Sequence, residues 1–264
     1  MKFLFPLLLA AFVLMNAVDA QKPKASVMPP EKFVNVVDHM LHSVCAIVAS
    51  QGEDDIGIPI GSGFFINNED YFVTNAHVAR DFTKLASQGL SVGLYFPMFT
   101  PSPASTIAGM AAADVSWISI DDNSDMAVGH AVRVRGGKHS FVHMLLDQRL
   151  PPGTAVAMTG FPLKERYPIT VTASVASQLE MSTYFFIDHA IFRGFSGSPV
   201  YLKSTGDVVG IAVRSFNAPV ETQQGPSETV FAPALGHVLQ LDLLRGMLTD
   251  NKITYNEPES KKEK

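Results

Sequence analysis

The chain has 264 residues, a formal net charge of −5, a mean hydropathy of +0.16 and a single cysteine, Cys45. A mildly acidic chain without a Lys/Arg cluster argues against nucleic acid as the main partner. One cysteine rules out an internal disulfide framework.

The chain opens with Lys2, an apolar run from Phe3 to Met15, and small residues at Val18-Asp19-Ala20. This pattern predicts a secretory signal peptide over 1–20, cut after Ala20, and a secreted or periplasmic product; the run is short for a membrane anchor. About 240 residues follow, enough for one two-barrel domain or two small domains. Residues 21–30 read as a polar, Pro-containing linker. From Glu31 to Val44 the apolar positions fall at helical spacing behind Pro29-Pro30, which predicts an N-terminal helix.

Short apolar or alternating runs then replace the helical period. Six candidate strands lie at 45–49, 62–66, 71–74, 90–96, 116–120 and 126–133. Six more lie at 154–159, 168–176, 184–188, 199–203, 207–214 and 228–232. Evenly spaced short strands without intervening helices predict an all-β barrel or sandwich. Pro97 to Ala113 reads as a surface excursion and Arg135 to Pro152 as a link between halves. Leu235 to Leu248 has helical spacing and predicts a closing helix. A charged tail follows, expected to be disordered over 250–264. Cys45 sits in Val44-Cys45-Ala46-Ile47-Val48 and reads as a small buried hydrophobe.

Three segments carry candidate chemistry. Gly194-Phe195-Ser196-Gly197-Ser198-Pro199 places a serine between two glycines, where the backbone can turn sharply near a carbonyl. The N–H groups of Gly194 and Ser196 could then face an oxygen that becomes negative. Upstream lie Thr74-Asn75-Ala76-His77-Val78 and Asn123-Ser124-Asp125-Met126-Ala127-Val128. A serine hydroxyl needs a neighbouring base, His suits that task near neutral pH, and a carboxylate can fix the imidazole. His77, Asp125 and Ser196 follow one another at intervals of 48 and 71 residues.

This order and local wording resemble the trypsin-like serine proteases, most of all the HtrA/Deg branch with its T-N-x-H-V and D-x-A-V segments. Pro152-Gly153-Thr154 through Gly160-Phe161-Pro162 is also similar to the start of that family's second barrel. The resemblance covers roughly 43–240 and implies two six-stranded antiparallel β-barrels within a protease domain at 31–249, barrel one about 43–140 and barrel two about 150–234. It implies His77 as base, Asp125 as its orienting carboxylate and Ser196 as nucleophile. Ala190 falls at the base of the primary specificity pocket, which implies cleavage after small or medium apolar residues. Val213, Arg214 and Ser215 fall on the strand that pairs with substrate backbone, and Phe231-Ala232-Pro233 on another wall. No cofactor and no metal is implied, and no room is left for a PDZ module. The expected partner is unfolded or extended polypeptide, with membrane contact only through the signal peptide.

Two positions depart from the family pattern: Phe195 precedes the serine and Ser198 replaces a glycine after it. A relative that binds peptides without cutting them therefore stays open beside the endopeptidase. The order Ser196, Asp207, His237 would suit an α/β-hydrolase, but the serine segment lacks the last glycine of G-x-S-x-G. His39, His42 and Cys45 lack a fourth zinc ligand, and His139 and His143 lack the Glu of a metalloprotease motif.

Overall fold

The computed structural model describes residues 30–52, 57–99, 107–135, 137–178, 182–220 and 230–258. The expected signal peptide, most of the linker and residues 259–264 lie outside them. Helix α1, Pro30–Leu41, leads into barrel one, whose strands are β1 Val44–Ser50, β2 Ile58–Phe65, β3 Tyr71–Thr74, β4 Ser91–Phe99, β5 Ile107–Asp121 and β6 Met126–Arg135. Barrel two holds β7 Ala155–Gly160, β8 Ile169–Gln178, β9 Tyr184–Ile187, β10 Pro199–Leu202, β11 Val208–Val220 and β12 Val230–Gln240. Each set closes on itself, in the order β1-β2-β3-β6-β5-β4 and β10-β11-β12-β9-β8-β7, with antiparallel neighbours throughout. The fold is all-β, two closed six-stranded barrels with a helix at each end.

The strands read as continuous apolar runs because both of their faces are buried. Along β1, Cys45 and Ile47 point into the core of barrel one, while Val44, Ala46 and Val48 join a second core at the seam between barrels. In barrel two, Val156 and Met158 of β7 face inward and Ala157 faces the seam. The seam core gathers Phe64 from barrel one, Phe161 and Tyr201 from barrel two, and Leu244 and Leu248 from the closing helix. Burial raises the Cys45 thiol far above its ordinary range, so it sits there as an inert apolar group.

Three stretches differ from the sequence expectation. Leu235 to Leu248 is not one helix: 235–240 belong to β12, a 3-10 turn covers Leu241–Leu243, and helix α3 spans only Leu244–Asp250. The apolar spacing misled because Val238 fills barrel two while Leu239 fills the seam, so a two-sided strand imitated a helical stripe. Pro97 to Ala113 contributes strand at both ends, in β4 and β5. A helix α2, Ala76–Ser87, interrupts the strand series; Val78, Ala79 and Phe82 form its buried face against barrel one.

The expected tail is ordered as far as 258. Ile253 is buried in the seam core, and the Thr254 carbonyl accepts from Asn67 Nδ2. Between the barrels, Val142, Met144 and Leu146 of the connecting segment are buried in the seam as well. Among the described residues no helix is long and apolar enough to cross a membrane.

Candidate active site

His77 stands in the first turn of α2, directly after the β3 segment. Asp125 closes the turn between β5 and β6, in a left-handed conformation at φ 52° that Asp tolerates better than most residues. Its carboxylate lies over the start of α2. Asp125 Oδ1 accepts the His77 backbone N–H at 3.0 Å, and His77 Nδ1 lies 3.0 Å from both carboxylate oxygens. The Asp125 carbonyl accepts from Ala76 N–H and from Asn75 Nδ2, each at 3.1 Å. Asp125 thus serves as the N-terminal cap that Asn75 itself does not supply, and the helix dipole favours its negative charge. With Nδ1–H donated to the carboxylate, Nε2 is the free basic nitrogen. The pair is partly open to solvent, with side-chain exposures of 45% for His77 and 29% for Asp125.

Ser196 sits on the turn between β9 and β10. Gly194 and Gly197 flank it at φ 98° and φ 87°, conformations that glycine adopts without strain. A Cβ on Gly194 would come within 2.3 Å of the Phe161 carbonyl oxygen, and one on Gly197 within 2.0 Å of the Ser62 carbonyl oxygen. Phe195 is buried in the core of barrel two and anchors the turn from beneath. Ser198 is buried, its hydroxyl has no partner among the described residues, and it packs against Gly160. Barrel one holds the turn from the other side. Ser62 of β2 donates its hydroxyl to the Gly194 carbonyl at 2.7 Å and its N–H to the Ser196 carbonyl at 2.8 Å, while Phe161 N–H donates to Ser62 Oγ at 2.9 Å. Among the described residues, the Gly194 and Ser196 N–H groups donate to no acceptor.

His77, Asp125 and Ser196 line one open cleft of about 750 Å³, together with Val213, Arg214 and His237. The Ser196 hydroxyl donates to the Val213 carbonyl at 2.8 Å rather than to His77. Two residues expected at the specificity pocket have local hydrogen-bond partners. Ser215 exchanges hydrogen bonds with the Ile191 backbone, accepting from N–H at 2.7 Å and donating to the carbonyl at 3.0 Å. Ala190 is half-buried and its carbonyl bonds His189 Nδ1; neither Ala190 nor Ser215 lines the cleft. The wall expected from Phe231-Ala232-Pro233 rests on side chains outside those described; farther along β12, His237 and Leu239 line the cleft.

His237 escaped the sequence reading as a cleft residue, because its segment carried a helical spacing. It faces Arg214 across the β11–β12 ladder and packs among Tyr184, Phe186 and Phe216. Burial lowers its pKa, Arg214 lowers it further, and Asp125 acts in the opposite sense. Asp207 lies beside His143 instead, 4.0 Å away, so no α/β-hydrolase site forms around Ser196. Other histidines have structural partners: His39 bonds the Phe141 carbonyl, and His139 stacks on Phe65 and bonds Asp70 at 2.7 Å.

Comparison with known proteins agrees with this architecture. A family model described as a trypsin-like peptidase domain matches residues 61–211, more than half the chain. The chain belongs to the trypsin-like peptidase family. Relatives include the probable periplasmic serine endoprotease DegP-like of Rhizobium meliloti (strain 1021), 29% identical over 167 residues, covering 60% of this chain and 28% of the relative. The corresponding DegP-like protein of Bartonella henselae is 28% identical over 196 residues, covering 72% and 35%. The putative serine protease HhoB of Synechocystis sp. is 28% identical over 190 residues, covering 65% and 40%. The chain therefore spans well under half the length of these relatives. Among solved structures, Deg5 superposes with a TM-score of 0.59 at 17% identity, covering 82% of this chain and 91% of that one. The serine endoprotease from Yersinia pestis gives 0.57 at 15%, covering 83% and 66%. At these identities the structural likeness concerns the fold.

Proposed function

We propose that the chain is an exported serine endopeptidase that cleaves unfolded or extended polypeptide through an acyl-enzyme. The observation that carries this reading is the meeting of His77, Asp125 and Ser196 in one cleft, with the imidazole already bonded to the carboxylate. In this reading the Ser196 hydroxyl turns from the Val213 carbonyl toward His77 Nε2. His77 takes the proton as Ser196 Oγ attacks the substrate carbonyl, then passes it to the leaving amine. Asp125 holds the imidazole in the Nδ1–H tautomer and stabilises the imidazolium. The Gly194 and Ser196 N–H groups receive the oxyanion, a contribution of roughly 10²–10³ in rate for each donor. Val213, Arg214 and Ser215 pair with the substrate backbone by strand addition. Ile191, next to the neutral Ala190, and Val213 give the cleft apolar walls that suit a small or medium apolar residue before the cut. No metal or cofactor takes part. Export rests on the leader-like residues 1–20 and on the periplasmic location in the names of two relatives.

A second reading, a family member that holds peptides without cutting them, is favoured by two contacts: the Ser196 hydroxyl engaged by Val213, and the Ser215–Ile191 bonds across the expected pocket. Incubation of the mature chain with unfolded casein separates the two. The endopeptidase yields fragments that vanish in Ser196→Ala. Intact casein beside a well-folded chain favours the binder.

A further inference from the structure

The cleft has a charge character opposite to that of the whole molecule. The chain carries a net charge of −5, yet the cleft is lined by His77, Arg193, Arg214 and His237, and its one carboxylate, Asp125, is engaged by His77. Four arginines outside the cleft pair with carboxylates: Arg80 with Asp122, Arg133 with Asp114, Arg149 with Asp242 and Arg245 with Asp147. Among the described residues, Arg193 and Arg214 have no carboxylate partner although both are exposed. Arg214 also faces His237, whose two ring nitrogens are buried without a partner among the described residues. Unpaired cations along a concave wall focus the field and draw in the opposite charge. Exposed Phe192 and Phe216 stand next to these arginines, at 40% and 46% exposure, and offer an apolar contact beside the charge.

We propose that the cleft selects acidic polypeptide, with Asp or Glu flanking an apolar residue, and that Arg193 and Arg214 determine this preference. The inference rests on the peptidase reading, but it can be tested without turnover. Ser196→Ala protein is titrated against short fluorescein-labelled unstructured peptides that share one apolar residue and carry Glu, Gln or Lys around it. The Glu peptide binds about fivefold more tightly than the Gln peptide, the sum expected of two exposed ion pairs. The Lys peptide binds most weakly, although the net charge of the molecule would favour it. The Glu advantage shrinks as salt rises from roughly 50 to 300 mM. It disappears in Arg193→Gln/Arg214→Gln and persists in Arg193→Lys/Arg214→Lys. Equal affinities, a Lys preference, a salt-independent contrast or no binding of any peptide would overturn the proposal. Fluorophosphonate labelling of the unmutated chain reports on the peptidase reading separately.

Discussion

Asp125 uses one carboxylate for two tasks, closing the first turn of α2 and holding His77. Substitution Asp125→Asn keeps the shape but disturbs the tautomer, so casein turnover should fall by about 10⁴ in kcat. Folding should change far less, because the amide oxygen still accepts the helix N–H. A variant that loses structure and activity together would show Asp125 to be only a cap. His237 makes a second, thermodynamic prediction. Its folded-state pKa is lowered mainly by burial, so below the ordinary value near 6.5 the unfolded chain binds the proton more readily than the folded one. Stability therefore declines as pH falls from about 7 through 6. His237→Phe, which suits the surrounding Tyr184, Phe186 and Phe216, should flatten that decline in denaturant titrations. An unchanged slope would contradict the assignment.

At the scale of elements, β2 reaches across the seam through Ser62 and grips the turn that presents Ser196. Ser62→Ala leaves the buried Gly194 carbonyl and Phe161 N–H without their shared partner, at a cost of about 1–3 kcal/mol. The turn is the part released. Fluorophosphonate labelling should slow more than the melting midpoint drops, and labelling at the original rate would show that Ser62 does not position it. The sequence made some of this legible and hid the rest. Ser196 announces itself through flanking glycines where φ is positive, and His77 and Asp125 through their order and the wording of their segments, whereas the helix that carries His77 left no such signal. Ser62 carries no such mark, since its partners come from residues about a hundred positions away. His237 was concealed because β12 buries both faces and so loses the alternation that marks a strand.

The whole molecule joins two closed barrels by a core that belongs to both. Phe64 from one barrel, Tyr201 and Phe161 from the other, and Leu244 from α3 share it. The barrels should consequently unfold together. Phe64→Ala is expected to cost about 3–5 kcal/mol and to lower a single cooperative transition, with near- and far-UV circular dichroism coinciding. Two resolved transitions would mean that the seam is only a contact. The same seam brings α2 and the β5–β6 turn of barrel one to the Ser196 turn of barrel two, so catalysis, as proposed, depends on its integrity. Peptide-level mass spectrometry after treatment with a fluorophosphonate examines that dependence at its centre. The account predicts one adduct, on Ser196, absent from His77→Ala. A folded chain that stays unlabelled, or an adduct that survives His77→Ala undiminished, would contradict it.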